Sequence, residues 1–261
     1  MNINFTRHNK YSDISFRAHK KDVRDADDIM RRAKNEFPLT SSTKMDTFWD
    51  TKKNVSPKQQ KTINGLQNRI CALRRSSEKK QEMLRYLSNP YMPYLEEMKQ
   101  KKIGNCYESA VSAIAGLRAN GYPADLAYLF IEHSFVDKKT KKVVFSKEFD
   151  YDHVFTVTDM GKKDLKTEKK IILDPWLGYC GTWQEIGAKY KHLWMEDEDY
   201  VLFLYNSENE FAEELKNGNS KVSDFEEKIT SGYRIIPSGD LKDKKIQHQL
   251  RKKFPALIVK A

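Results

Sequence analysis

The chain has 261 residues, of which 47 are Lys or Arg and 37 Asp or Glu, a formal net charge of +10. Apolar residues make up 39% of it, with 13 Tyr, 13 Phe and 4 Trp, enough for a sizeable core and too many for a disordered chain. No apolar run approaches the roughly 18 residues that cross a bilayer. The opening MNINFTRHNKYSD has no apolar stretch of the secretory-signal type, and Cys71, Cys106 and Cys180 are too few and too scattered for a disulfide framework or a four-ligand zinc site.

Residues 1–55 read as a polar arm with scattered aromatics and one short helix, DVRDADDIMRRAKNEF. From Ser56 the pattern is helical, with Ser56 as cap and Pro57 in the first turn. Ile63, Leu66, Ile70 and Leu73 share one helical face. A second helical run, SEKKQEMLRYL, ends at Asn89-Pro90, so 56–95 is expected to form a helical hairpin. Small and β-branched residues then rise over 96–205. CYESAVSAIAGLRA reads as a helix ended by Asn120-Gly121, with Pro123 beyond it. LAYLFIEHSF, KKVVFSKEF, DHVFTVT, KKIILD and DYVLFLY read as strands, and TWQEIGAKYKHLW as a helix. One helix followed by a mainly antiparallel sheet is an α+β fold. Residues 206–261 read as a polar and basic extension with a short helix, FAEELKN, and a weakly amphipathic segment at 241–254 that can touch an anionic membrane surface.

Three residues stand in contexts suited to thiol chemistry. Cys106 follows Gly104-Asn105 and begins the Ala-rich helix. Backbone N–H groups and the helix dipole stabilise a thiolate there, and the same N–H groups stabilise an oxyanion beside it. A cysteine at a helix start is also commonly a small buried residue. His153, in YDHVFTV, shares a strand face with Phe155 and Val157, and a strand holds an imidazole rigidly. Asp174 ends the apolar run IILD before Pro175, where its carboxylate can accept a hydrogen bond from His153. An aspartate ending a strand before a proline turn is common on its own. The three lie 47 and 21 residues apart, in the order nucleophile, base, orienter.

The Gly104-x-Cys106 element with Ala110 and Leu117-Arg118-Ala119-Asn120-Gly121-Tyr122-Pro123-Ala124 resembles the nucleophile helix of the transglutaminase-like superfamily. His153 at a strand head and Asp174-Pro175-Trp176 resemble that superfamily's second and third catalytic blocks. The Gly-Asn-Cys form resembles papain-like bacterial effectors and toxins that deamidate or cleave host proteins. The resemblance covers about residues 100–205. It departs at Phe155, where transglutaminases often carry a tryptophan, and no acidic cluster suggests their calcium site.

The resemblance implies a papain/transglutaminase-like core, a nucleophile helix on an antiparallel sheet, beside a helical N-terminal region. It implies a Cys106-His153-Asp174 triad working through a thioester on protein amide bonds, as a protease, glutamine deamidase or transglutaminase. It also implies a bacterial effector without a cleaved signal, acting on a host protein in the reducing host cytoplasm. Gln100, six residues before Cys106, matches the oxyanion glutamine of papain-like proteases in spacing. Asn105 and Trp176 are candidate substrate-binding residues, with Trp183 and Trp194 as further walls of a groove. No cofactor or metal is expected, nor a nucleic-acid partner. A zinc site on Cys106, His153 and Cys180 lacks the compact Cys/His spacings such sites favour. His133 with Glu132 is a weaker substitute for His153, because consecutive strand residues point to opposite faces. The alternatives are an inactive binding module of the same fold and a basic protein that binds nucleic acid or anionic membrane.

Overall fold

The computed structural model describes residues 10–42, 56–84, 91–162, 165–194, 213, 217–236 and 244–259. Among them are six helices and a five-stranded antiparallel sheet, a mixed α+β arrangement. The helices are α1 (Lys10–Glu36), α2 (Pro57–Leu84), α3 (Tyr91–Lys101), α4 (Cys106–Ala119), α5 (Trp183–Trp194) and α6 (Lys244–Lys253). The strands are β1 (Asp125–Asp137), β2 (Val143–Thr158), β3 (Ile171–Asp174), β4 (Tyr179–Thr182) and β5 (Phe225–Ile236), in the spatial order β4-β3-β2-β1-β5.

The helix α4 is the centre of the molecule. Every residue from Glu108 to Ala119 is buried. A helix with apolar and small residues on all sides can satisfy them only by being surrounded. On one side Val111 and Ala115 join Phe37, Leu73, Leu95, Met98 and Leu250, drawn from α1's end, α2, α3 and α6. On another, Ala110 and Ile114 meet Ile29 and Met30 of α1 together with Leu126, Ile171 and Leu173 of the sheet. The alternate sheet residues Ala127, Leu129, Phe155, Val157 and Ile172 face Ile186 and Tyr190 of α5. Period-two alternation thus gives the sheet two buried faces, one against α4 and α1 and one against α5.

Several expectations change. The hairpin expected over 56–95 is instead one helix, α2, running unbroken through Ser76 and Ser77. Serine lowers helix propensity only slightly, and neither Pro nor Gly follows Gly65 before Leu84. Its start is as expected: Gln59 N–H donates to Ser56 Oγ at 3.3 Å and Ser56 N–H to Gln59 Oε1 at 2.9 Å, a reciprocal cap. The strands expected at KKVVFSKEF and DHVFTVT are one strand, β2, paired with β1 nearly throughout. The extension over 206–261 supplies β5, which pairs with β1 from Phe225–Asp137 to Leu126–Ile236. The sheet therefore reaches beyond the core expected at 96–205. Among the described residues of the 241–254 segment, the apolar Ile246, Leu250 and Phe254 are buried in the core rather than presented outward. The strand expected at 199–205 and nearly all of the helix expected at 211–217 lie outside the described residues.

Candidate active site

Cys106 is the first residue of α4, and its thiol is half-buried. The chain reaches it through a tightly held turn. Asn105 caps the helix while its own N–H donates to Glu108 Oε2 at 2.8 Å. Gly104 is required here for room. A Cβ on it would lie 2.4 Å from Glu108 Cβ and 3.0 Å from Leu39 Cδ1. Residues 40–42 form a strap across this turn. Thr40 N–H donates to Lys102 O at 2.9 Å, and the Thr40 carbonyl accepts from Gly104 N–H at 3.1 Å. Ser41 Oγ, at 2.9 Å, and Ser42 N–H, at 3.1 Å, both donate to Asn105 Oδ1.

His153 lies near the end of β2 and is 2% exposed. Its Nε2 is 2.7 Å from Asp174 Oδ2, and the Cys106 side chain hydrogen-bonds the same ring. With Nε2 engaged by the carboxylate, Nδ1 is the atom left for sulfur. Burial alone would push the His153 pKa down. The charge and hydrogen bond of Asp174, together with Cys106, outweigh it and raise the pKa to about 9. Rings of Trp176 at 5.3 Å, Tyr190 at 5.8 Å and Phe155 at 5.9 Å enclose the imidazole.

Asp174 ends β3 at a turn that its own side chain shapes. Its Oδ1 accepts from Leu177 N–H at 3.0 Å, and its carbonyl accepts from Gly178 N–H at 2.7 Å. Gly178 takes φ 81°, in the region that favours glycine. Tyr190 Oη, from α5, donates to Oδ2 at 2.8 Å. Burial first, and the Asp174 charge second, push the Tyr190 hydroxyl well above its ordinary pKa, so it remains a donor.

The fold therefore brings Cys106 and Asp174 to the same imidazole, that of His153. Trp176 stands beside it, its Nε1–H donating to Ser41 Oγ at 3.0 Å. Gln100 is exposed, in the last turn of α3. Asn105 is buried, with its oxygen on Ser41 and Ser42 and its Nδ2 donating to Gln67 Oε1 at 3.2 Å, so its side chain clamps the turn. Cys180 sits on β4 with its thiol against the Val23 carbonyl. Burial and then the charges of Asp27 and Glu185 push the Cys180 pKa up to about 12. No metal-binding cluster of His, Cys, Asp or Glu occurs among the described residues. His133 is buried and stacked on Phe135, and it pairs with Lys147, six residues before His153 along β2. Trp183 stacks on Tyr190 at 5.8 Å, part of the α5 packing. The side chain of Trp194 is outside the described ones.

Sequence reasoning missed Tyr190, Ser41, Gln67, Arg74 and Tyr94. It also missed the role of Glu108, although Asn105-x-x-Glu108 is a capping-box pattern. Arg74 donates Nε to Glu108 Oε1 at 2.8 Å and Nη2 to Oε2 at 3.0 Å, and Tyr94 Oη donates to Oε1 at 2.7 Å. Burial opposes ionisation of Glu108, but the hydrogen bonds and charge of Arg74 hold its pKa below the ordinary value.

No protein-family model, no curated protein and no solved structure matches the chain.

Proposed function

We propose that the protein is a cysteine acyl-transfer enzyme acting on amide bonds of proteins, built on a papain/transglutaminase-like core. The observation that carries this reading is the His153 ring, hydrogen-bonded by Cys106 on one side and by Asp174 on the other. In the reaction, the Cys106 sulfur attacks the carbonyl carbon as a thiolate, beside an already protonated His153. The Cys106 N–H at the start of α4 supports the oxyanion. Collapse breaks the C–N bond, and the leaving ammonia or amine takes the proton from His153. A thioester remains. Water, giving its proton to His153, then attacks the thioester carbonyl. The acid is released and sulfur returns. A lysine amine in place of water gives a crosslink. Asp174 holds the ring's orientation throughout and offsets the imidazolium charge. A host-cell protein as substrate follows from the resemblance to bacterial effectors.

The test is mass spectrometry of candidate protein substrates treated with wild type and with Cys106→Ala. Only the wild type should produce a cut, a crosslink or a gain of about one dalton per deamidated amide. A companion experiment treats the protein with iodoacetamide at pH 7. Cys106 should be alkylated while Cys180, with its pKa near 12, stays intact. No substrate change, together with a Cys106 as inert as Cys180, removes the enzyme reading.

A further inference from the structure

Two residues beyond the nucleophile the chain carries a carboxylate, Glu108, that is 0% exposed. Four donors converge on it: Arg74 twice from α2, Tyr94 from α3, and the N–H of Asn105. The cap requires only the last of these. A buried ion pair is an inefficient way to join helices, because desolvating both charges offsets much of their attraction. Its position is the informative part. Glu108 alone would set a negative charge within one helical turn of the sulfur. Arg74 neutralises it through a two-pronged contact. The guanidinium also lies 5.6 Å over the ring of Tyr107, the residue between Cys106 and Glu108. Its charged form is favoured first by the Glu108 hydrogen bonds, against burial, and further by the charges of Glu108, Tyr94 and Cys106. Among the described residues, the sulfur also interacts with His153 on β2, which is backed by Asp174 on β3.

We propose that Arg74 and Glu108 are a positioning pair for the nucleophile: Glu108 fixes the first turn of α4, and Arg74 cancels its charge so that the sulfur can become anionic beside His153. The proposal rests on Cys106 being the nucleophile, and it makes α2 part of the catalytic apparatus.

The test measures alkylation of Cys106 by iodoacetamide from pH 5 to 9 on the full chain, resolved by peptide mass spectrometry. Glu108→Gln keeps the shape and an acceptor for Asn105 N–H but leaves the Arg74 charge unopposed. It should shift the pH–rate profile to lower pH and speed alkylation about tenfold at pH 6. Arg74→Met should shift the profile to higher pH and slow alkylation about tenfold. A brace without electrostatic effect would slow both variants or move neither profile, and either result overturns the proposal. If Arg74→Met does not fold, the direction of the Glu108→Gln shift decides alone. If Glu108→Gln also fails, Arg74→Lys decides: the profile stays in place if charge acts, and moves if only the fork geometry does. Alkylation needs no amide substrate. Profiles that move as stated in a protein without amide turnover therefore uphold the pair and leave the amide chemistry without its support. Turnover with unmoved profiles does the reverse.

Discussion

His153 and Asp174 meet across β2 and β3 on a diagonal. Continuing the register Thr156–Leu173 by one step sets Asp174 opposite Phe155. His153 lies two residues further along β2, on the same face. Its Nε2 nevertheless comes to 2.7 Å of Asp174 Oδ2. Asp174 is the last residue of β3, so its carboxylate leaves the ladder at the point where the turn begins.

On the proposed mechanism, that carboxylate should set the alkaline limit of activity. Burial works against protonation of His153, yet Asp174 and Cys106 keep the ring protonated up to about 9. Turnover should therefore fall as pH rises through about 9, when the leaving amine loses its acid. Asp174→Asn keeps an acceptor but removes the charge. Its descending limb should move down toward the ordinary histidine value, 6.5. The dependence of kcat/KM on pH reads this directly, and a limb unmoved in Asp174→Asn contradicts it.

The same ring links stability to pH. Its folded value, about 9, lies above its ordinary value of 6.5. The stabilisation is therefore complete below 6.5 and is lost as pH rises through about 9. Urea midpoints of the wild type should decline between pH 6.5 and 9, and His153→Gln should show a flatter profile. Parallel declines in the two proteins would assign the effect to other groups.

Tyr190→Phe removes the second donor to Asp174 Oδ2 from a site with no exposure. A hydrogen bond to a charged group contributes about 1.5–3 kcal/mol, so urea denaturation should show a loss of that order. The loss should shrink in the Asp174→Asn background, where the acceptor is no longer charged. Equal losses in both backgrounds would mean that ring packing, and not the hydrogen bond, accounts for the change.

The reach of the sequence depended on how local each signal was. Cys106 was legible because Gly104-Asn105 precedes an apolar helix, and Asp174 because an apolar strand stops at Pro175. Tyr190 was not, because its hydroxyl finds Asp174 only after α5 has folded onto the sheet. Arg74 lies 34 residues from Glu108 in sequence, on a helix whose pattern shows only one apolar face. The strand β5 hid because FEEKITSGYRII sets Phe225, Ile229 and Tyr233 four residues apart, with Glu226, Glu227 and Lys228 in the first gap and Thr230, Ser231 and Gly232 in the second. An edge strand does not need the near-continuous apolar run of one buried on both faces. The strand β4 is four residues with a glycine, too short to show a period. The helix α1 extends upstream of DVRDADDIMRRAKNEF to Lys10, through a polar stretch where apolar residues are sparse.

Gly104→Ala separates room from flexibility at the turn before Cys106. Gly104 is not among the positive-φ glycines, so alanine can take its backbone conformation. The obstacle is the new methyl group, 2.4 Å from Glu108 Cβ and 2.9 Å from Cγ. The Cβ cannot swing away, since it is fixed to the α4 backbone and four hydrogen bonds hold the carboxylate beyond it. Either the turn or the first turn of α4 must shift, at an overpacking cost of about 1–3 kcal/mol. The shift moves Cys106 relative to His153, so Cys106 alkylation at pH 7 should slow roughly tenfold or more, since small misplacements are costly in a preorganised site. Urea denaturation and peptide-resolved labelling of the same sample measure both effects. A variant as stable and as reactive as the wild type would show that the turn has slack, and that its glycine does not hold the sulfur in place.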